Sequence, residues 1–249
     1  MADLRVLGVI PARLGSTRLP RKVLRQIAGI PMIAHVFRRA RQSDFLSDLL
    51  VATDSEEVVA TCQAHGIPAV MTSPDHSSGT DRVWEVSRSR IADVYVNIQG
   101  DEPLITAGHI RSLVQPFRTY PGTQVVTLKI VATDEEARNP NVVKVVSDAQ
   151  GHALYFSRHP IPYDRDRTGS IIYWKHPGGY AYSRDTMERF HRLPPSPLER
   201  AERLEQLRFL ENGIPIHVVE TREPTIGVDT EEDLLAVEAF LRNQPPRSA

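Results

Sequence analysis

In the first half of the chain, short apolar runs alternate with segments whose apolar residues recur at helical spacing. The apolar runs have the length of buried strands, and the segments between them have the length of helices. The predicted strands are Val6–Ile10, Leu49–Ala52, Ala69–Met71, Asp93–Ile98 and Val125–Ile130, and the predicted helices are 32–41, 55–65, 80–90 and 106–118. This alternation predicts an α/β protein with a mostly parallel central sheet and right-handed crossovers.

The pattern changes near the middle of the chain. Two short apolar runs, Asn139–Val146 and Ala153–Ser157, flank the turn residues Asp148–Gly151 and predict an antiparallel hairpin. We expect residues 139–183 to form an inserted antiparallel segment that serves as a substrate lid or a dimer contact. The rest of the pattern is continuous, so a single domain over residues 1–249 is expected.

Helical spacing returns at 184–193 and 197–210, followed by a predicted strand at Ile216–Val219 and a helix that starts within Gly227–Asp233. In the 197–210 segment, one apolar stripe is formed by Leu198, Ala201, Leu204, Leu207 and Leu210. The polar residues on its other faces are Glu202, Glu205, Gln206 and Arg208. For these, a solvated surface is the plainer interpretation.

The first predicted strand leads into a cationic loop that contains Arg13, Arg18, Arg21 and Lys22. The chain leaving the carboxyl end of a buried parallel strand opens onto the crevice where α/β sheets bind ligands. Small and hydroxyl residues lie between the cations, so backbone N–H groups can approach an anion. The loop therefore predicts a polyphosphate site, although it has neither the P-loop pattern nor the glycine-rich dinucleotide turn. A solvated basic loop is the alternative.

Two later stretches carry further candidate ligands. Ser78 and Gly79 precede a predicted helix, whose free amino-terminal N–H groups suit an anion or a ligand edge; an ordinary capped loop is equally compatible. Asp101 and Glu102 follow a predicted central strand and suit a hard divalent cation that bridges phosphates, unless they only cap a helix. Asp229 precedes the last helix, as its cap or as a second acid that shares the cation with Asp101.

The charge balance and the single cysteine narrow the function classes. The chain has 249 residues with 30 basic and 31 acidic side chains, so it offers no overall positive field for nucleic acid or anionic lipid. Its one cysteine, Cys62, excludes an intrachain disulfide and a multi-cysteine metal site. No signal peptide and no apolar run of about 18 residues is evident. These features lead us to expect a cytoplasmic protein that does not bind nucleic acid or membranes.

Seven motifs in order resemble the 3-deoxy-manno-octulosonate cytidylyltransferase (CMP-Kdo synthetase) family. They lie at Ile10–Lys22, Ser78–Arg82, Gln99–Pro103, Asn139–Lys144, Ser157–Arg165, Leu204–Arg208 and Gly227–Thr230. The resemblance covers roughly residues 5–240. It implies a Rossmann-like nucleotidyltransferase fold, a homodimer, and transfer of CMP from CTP to the sugar acid Kdo for lipopolysaccharide synthesis.

The resemblance also implies site residues, each carried over by its motif. The catalytic set is Arg13, Arg18, Lys22 and Asp101, and the nucleotide-binding set is Ala12, Arg13, Lys22, Ser78, Gly79 and Arg82. The residues expected to contact the sugar acid are Gln99, Arg158, His176, Glu205 and Gln206. Asp101 and Asp229 match the ligands of Mg²⁺, the expected cofactor.

The chain departs from the family pattern in three places, and these leave other functions open. The family usually has Gly at the position of Arg21 and an aromatic or small residue pair where this chain has Leu14 and Gly15, and the segment after His176 contains Pro177 and Gly179. The alternative acceptors are therefore a variant sugar acid such as 8-amino-Kdo, a sialic-acid-like sugar, and a sugar 1-phosphate. A non-catalytic nucleotide-binding module is a remote alternative, since a mere binder does not need two metal-ligating acids beside a lysine. A dehydrogenase is weaker still, because the first turn lacks the glycine fingerprint.

Overall fold

The computed structural model describes residues 4–15, 19–76, 78–167 and 169–242. Its first half alternates strands and helices as predicted, with boundaries within about two residues of the predicted ones. The elements are β1 (Val6–Ala12), a 3-10 turn (Lys22–Leu24), β2 (Gln26–Ile27), β3 (Ile30–Pro31), α1 (Met32–Ala40), β4 (Asp48–Thr53), α2 (Glu56–Ala64), β5 (Ala69–Met71), α3 (Gly79–Ser89), β6 (Val94–Asn97), α4 (Ala107–Thr119) and β7 (Val125–Val131).

The second half contains more elements than the pattern indicated. They are α5 (Asp134–Arg138), β8 (Lys144–Ser147), β9 (Ala153–Ser157), β10 (Trp174–Lys175), β11 (Tyr180–Ser183), α6 (Arg184–His191), α7 (Pro197–Glu202), α8 (Gln206–Glu211), β12 (Ile216–Glu220) and α9 (Glu231–Arg242). β8 and β9 pair antiparallel, which confirms the predicted hairpin. α5 and β10 were not predicted, because elements this short show no periodicity.

The strands other than β2 and β3 form one large sheet in the order β5-β4-β1-β6-β11-β7-β10-β8-β9, with β12 also paired to β7. β2 and β3 pair with each other in a separate two-stranded sheet. β5, β4, β1 and β6 are parallel neighbours, and so are β7 and β12. The other neighbours are antiparallel. The α/β class, with a central block of parallel strands and an added antiparallel segment, is confirmed.

The antiparallel insertion ends earlier than the predicted boundary at residue 183. β11 lies in the middle of the main sheet, where it pairs with β6 on one side and β7 on the other. Its side chains Tyr180 and Tyr182 are buried in the core. The sequence hid this strand because Gly178 and Gly179 directly precede it and resemble a loop. Whether the preceding segment acts as a lid or a dimer contact stays a prediction.

The prediction of a single helix over 197–210 was wrong. Arg203 has a φ of 53° and ends α7, so the chain turns before α8 begins at Gln206. A non-glycine residue in the left-handed region gives no signal in an apolar pattern. The turn brings Gln206 and Arg208 into the interior, where both are buried. The interpretation of this face as solvated surface was therefore wrong for these two residues.

Helices cover both faces of the parallel strands. Val6 and Ile10 of β1 pack on the side of α1, α2 and α4, whereas Leu7 and Val9 pack on the side of α3, α6 and α8. A strand buried on both faces places its functional groups in the loop after its carboxyl end. Because β1 and β6 are adjacent and parallel, the loops that follow them meet at one edge of the sheet.

The helices of the described ranges include none with the length and apolar character that crossing a bilayer requires.

Candidate active site

A cavity of about 490 Å³ opens at this edge of the sheet. The predicted residues that line it are Ala12, Arg13, Lys22, Ser78, Gly79, Arg82, Gln99, Asp101 and Asp229. Pro11, Gly15, Val23, His76 and Gly100 complete the lining. Arg18, with Ser16 and Thr17, lies outside the described residues. The structure therefore brings the predicted nucleotide and metal residues together, although they come from four separate parts of the chain.

Lys22 connects the acidic residues of the site. Its Nζ lies 2.5 Å from Oδ2 of Asp101 and 2.9 Å from Oδ1 of Asp229. Only 12% of the Lys22 side chain is exposed. Burial alone would lower the pKa of Lys22, but attraction to the two carboxylates outweighs it and raises that pKa. The lysine is therefore a fixed positive charge at neutral pH.

The two carboxylates have the character of a magnesium site shared with a substrate. They converge on one cation, Lys22 Nζ, and both remain partly open to solvent, Asp101 at 32% and Asp229 at 44%. No cluster of three or more metal-ligating side chains occurs among the residues described. Mg²⁺ commonly takes one or two carboxylates, substrate phosphates and water rather than an all-protein cage. The donors present therefore fit Mg²⁺ bound together with a nucleotide.

Gly100 allows the loop that carries Asp101 to approach β1 closely. A Cβ at this position would lie 2.7 Å from the carbonyl oxygen of Pro11. Any side chain here would push Asp101 away from the loop that carries Lys22. The close approach that Gly100 permits is therefore to the backbone of β1.

Gln99 and Glu102 together fix the backbone of Gly178. The Gln99 amide donates to the Gly178 carbonyl at 2.9 Å, and the Gly178 N–H donates to the Glu102 carboxylate at 3.2 Å. Glu102 is buried, and burial together with the charge of Asp101 raises its pKa to about 7. Gln99 was predicted to contact the sugar acid. It lines the cavity and also holds the segment that carries His176.

The amino terminus of α3 lies at the cavity, as predicted from Ser78 and Gly79. Ser78 caps the helix, because its Oγ accepts from the N–H of Asp81 at 3.1 Å. Thr80, on the first turn, donates to Oε2 of Glu205 at 2.5 Å and also contacts the hydroxyl of Tyr182. Glu205 therefore supports, from behind, the nucleotide loop that carries Ser78 and Gly79. Its predicted contact with the sugar acid stays a prediction. Burial raises the pKa of Glu205.

Arg82 borders the cavity, but neighbouring side chains hold its guanidinium. It forms an ion pair with Asp54 at 2.9 Å and a hydrogen bond with the hydroxyl of Thr72. A buried guanidinium paired in this way orients the first turns of α3. Its predicted contact with the nucleotide stays a prediction.

His176 lies in an aromatic pocket behind the cavity. Its Nε2 is 2.9 Å from the hydroxyl of Thr127, which itself donates to the Gly179 carbonyl, so the histidine Nε2 carries the hydrogen. The rings of Phe156 and Tyr180 flank the imidazole at 5.2 and 5.1 Å. Burial lowers the pKa of His176 to about 3. The ring is therefore neutral across the physiological range.

Arg158 and Gln206 lie outside the cavity lining of the described residues. The guanidinium of Arg158 donates to the carbonyls of Glu202 and Pro140 at 2.8 and 3.0 Å. Gln206 is buried in the first turn of α8. Because neither residue lines the cavity, their predicted roles toward the sugar acid stay predictions.

Arg21 occupies the position at which the family usually has glycine. It has a φ of 58° and a ψ of 32°, a left-handed conformation that glycine adopts most easily. Its side chain points to α2, where it pairs with Glu57. The extra positive charge in the loop therefore faces α2.

The chain matches a known family over most of its length. The family model described as cytidylyltransferase matches residues 7–220. A 3-deoxy-manno-octulosonate cytidylyltransferase from Acidobacterium capsulatum is 59% identical over 241 residues, covering 97% of this chain and 98% of the relative. The chain belongs to the 3-deoxy-manno-octulosonate cytidylyltransferase family. The resemblance carried by the seven motifs is thus confirmed.

Other relatives of this cytidylyltransferase agree. The Koribacter versatilis protein of the same name is 54% identical and covers 96% of this chain and 91% of its own length. A solved structure of CMP:2-keto-3-deoxy-manno-octonic acid synthetase complexed with CTP matches with a TM-score of 0.91 and 46% identity, covering 96% of this chain and 98% of that one. A Bacillus anthracis glucose-1-phosphate thymidylyltransferase, at 18% identity, 98% coverage of both chains and a TM-score of 0.69, shares the fold.

Several residues of this cytidylyltransferase site were not predicted from the sequence. His76 lines the cavity and pairs with Glu85 of α3. Thr80 acts behind the lining, through a hydrogen bond to Glu205, a residue far away in sequence. Glu102 was predicted with Asp101 as a candidate cation ligand, but it does not line the cavity, and its carboxylate accepts from the distant Gly178 N–H. The motifs contained Thr80 and Glu102, but only the fold shows which partners their side chains reach.

Proposed function

We propose that this cytidylyltransferase transfers CMP from CTP to Kdo and releases pyrophosphate. The observation that carries the proposal is the meeting of Lys22, Asp101 and Asp229 beside the amino terminus of α3, in a single cavity. A cation, two metal-ligating acids and free helix N–H groups are the parts that bind and activate a nucleoside triphosphate. The similarity to proteins named for this reaction supports the choice of substrates.

The reaction joins the anomeric hydroxyl of Kdo to the α-phosphorus of CTP. The new O–P bond forms as the bond between the α-phosphorus and the bridging oxygen breaks, and the hydroxyl proton is lost to solvent. Such transfers need little covalent chemistry from the protein, so positioning and charge neutralisation determine the rate. Arg13 and Lys22 line the cavity and are proposed to neutralise the triphosphate and the leaving pyrophosphate, with Arg18 of the same loop.

Asp101 and Asp229 are the proposed ligands of Mg²⁺. When bound there, the ion would polarise the phosphate and lower the pKa of the attacking hydroxyl. The two carboxylates supply hard oxygen donors and leave room for substrate oxygens and water.

The nucleotide and the sugar acid are proposed to bind on different parts of the site. Ser78 and Gly79 at the start of α3, with Ala12, would contact the nucleotide. Gln99 and the pocket around His176 would contact the sugar acid. Arg158, Glu205 and Gln206 belong to this proposal through the motifs that carry them.

A variant sugar acid such as 8-amino-Kdo is the second candidate acceptor. Pro177 and Gly179, which depart from the family pattern, flank the Gly178 backbone held by Gln99 and Glu102. A change in this segment would alter the acceptor pocket and leave the nucleotide loop untouched. We further propose that the protein forms a homodimer, acts in lipopolysaccharide synthesis and is located in the cytoplasm.

Acceptor and nucleotide competition tests the function. Purified protein is incubated with Mg²⁺, one of CTP or UTP, and one of Kdo, 8-amino-Kdo or N-acetylneuraminate, and the sugar nucleotide is identified by mass spectrometry. CMP-Kdo formed only from CTP and Kdo supports the proposal. Product from 8-amino-Kdo in preference to Kdo would instead establish the second candidate.

A further inference from the structure

Residues 221–230 connect β12 to α9 and carry Asp229 to the active site. The Asp229 side chain is 44% exposed, so packing alone does not fix its position. A connection without regular secondary structure must be ordered by specific contacts, because each fixed residue costs about 1–2 kcal/mol of conformational entropy. The contacts that order this segment therefore decide whether Asp229 stays beside Asp101.

The first anchor of the segment is Glu223, at the amino terminus of α4. Its carboxylate accepts from the hydroxyl of Thr106, the residue that caps α4. A Cβ on Gly108 would collide with this carboxylate, so the glycine leaves room for the Glu223 side chain in this orientation. The carboxylate also suits the positive end of the helix dipole.

His109 holds the backbone of the same residue. The Thr106 N–H lies 3.2 Å from His109 Nδ1 and donates to it, so the ring hydrogen is on Nε2, which donates to the Glu223 carbonyl at 3.1 Å. His109 is 1% exposed, and burial lowers its pKa, which keeps the ring in the neutral form that this arrangement needs. Side chain and backbone of Glu223 are thus both fixed to α4.

The second set of contacts lies at the other end of the segment. The Val228 N–H donates to the Asp101 carbonyl at 2.9 Å, and Val228 packs with Leu19 and Leu104 in a small apolar cluster. The hydroxyl of Thr225 lies 3.5 Å from the Glu102 carboxylate. These contacts set the direction of the chain at Asp229. They can do so only if the beginning of the segment is fixed by the contacts of Glu223 with α4.

We propose that His109 and Glu223 are positioning residues that hold Asp229 beside Asp101 and so set the affinity of the site for Mg²⁺. The inference rests on the proposed role of the two aspartates. Neither His109 nor Glu223 lines the cavity, so they act through the segment that they anchor. Residues that orient metal ligands typically change metal affinity by about 10–100-fold when they are replaced.

The test measures CTP binding by calorimetry without an acceptor, once with Mg²⁺ and once with EDTA. Glu223→Ala removes the acceptor for Thr106, Glu223→Gln retains an acceptor oxygen, and Glu220→Ala removes an exposed glutamate at the end of β12 as a matched control. We expect Glu223→Ala to reduce the gain in CTP affinity that Mg²⁺ provides by about tenfold. Glu223→Gln and Glu220→Ala are expected to keep that gain within about twofold of the parent, an effect typical of replacements that retain the contact or lie on the surface.

Binding in EDTA separates positioning from general damage. Arg13, Lys22 and the start of α3 are untouched, so the affinity for metal-free CTP should be the same in all variants. His109→Ala, checked for folding by thermal denaturation, should reproduce the loss seen with Glu223→Ala. An unchanged Mg²⁺ effect in Glu223→Ala, or an equal loss of metal-free binding, would overturn the inference. A parent protein without any Mg²⁺ effect would instead overturn the proposed metal site itself.

Discussion

The ammonium nitrogen of Lys22 lies 2.5 Å from the Oδ2 atom of Asp101. This contact joins the loop after β1 to the loop after β6 and defines the centre of the site. Two parallel neighbouring strands bring these loops together, so the contact follows from the sheet topology. It also places a permanent positive charge against the acid that we propose as a ligand of Mg²⁺.

Asp101→Asn tests the metal role of this acid. The amide keeps the shape of the side chain but removes the charge that attracts Lys22 and Mg²⁺. We expect kcat for pyrophosphate release to fall about 10²-fold or more, as when a main electrostatic stabiliser is removed. Asp134→Asn, at an exposed position on α5, is the control and should leave kcat unchanged. Near-normal turnover of Asp101→Asn would contradict the assignment.

Arg21 should matter for its backbone conformation and not for catalysis. Replacement by glycine removes an exposed pair with Glu57, worth at most about 1 kcal/mol, and relieves a left-handed conformation that costs about as much. Arg21→Gly should therefore change the free energy of unfolding by less than about 1 kcal/mol and kcat by less than about twofold.

Arg21→Val provides the contrast. A β-branched residue is poorly accommodated at a φ of 58°, so a loss of about 1–3 kcal/mol is expected in urea unfolding. Equal stabilities of the valine and glycine variants would show that backbone conformation does not decide this position. A large fall in kcat for Arg21→Gly would show that the guanidinium acts in the reaction.

Thr80 should stabilise the nucleotide loop through Glu205. Thr80→Val keeps the shape of a residue that is only 2% exposed but leaves the Glu205 carboxyl without its donor at 2.5 Å. We expect a loss of about 1–3 kcal/mol in the free energy of unfolding, the cost of a buried polar group left unpaired. The KM for CTP should also rise, because Thr80 lies next to Gly79 in the first turn of α3.

Thr61→Val is the matched control for this prediction. The hydroxyl of Thr61 donates to the Glu57 carbonyl on the exposed side of α2, so its loss should cost less than about 0.5 kcal/mol. Equal effects of the two substitutions on the free energy of unfolding and on the KM for CTP would contradict the proposed role of Thr80.

The lowered pKa of His176 should make the protein less stable in acid. In the unfolded chain a histidine binds a proton as pH falls below its ordinary pKa of 6.5, whereas folded His176 has a pKa of about 3. Its contribution is therefore complete above pH 6.5 and is lost progressively as pH falls from there toward about 3. One proton gives a slope of at most about 1.4 kcal/mol per pH unit.

His176→Asn isolates this contribution. Urea unfolding of the parent and the variant between pH 4 and 7 should give a smaller pH slope for the variant. Parallel curves would show that protonation of this ring is not linked to folding.

The sequence predicted the site residues that follow the ends of strands. It did not predict features that depend on the local backbone conformation or on contacts with residues distant in sequence. Lys22 and Asp101 were predicted because parallel strands release their loops at one edge, and Asp229 was predicted from its place before the last helix and from the family resemblance. The break at Arg203 was missed, since only its left-handed φ reveals it. The central position of β11 was missed because two glycines precede it.

Contacts between distant residues account for the remaining differences. His109 reaches the carbonyl of Glu223, and Arg158 donates to carbonyls of Glu202 and Pro140. Backbone acceptors leave no trace in a side-chain pattern. The motif around Arg158 therefore identified the residue without identifying what it contacts.

The rate of pyrophosphate release from CTP and Kdo tests the central claim most directly. It is measured with Mg²⁺ and again with EDTA, with each substrate omitted in turn. We expect pyrophosphate release that requires CTP, Kdo and Mg²⁺ together and that stops in EDTA. Release that continues without Kdo, or no release although CTP binds, would contradict the claim that this site transfers CMP to Kdo.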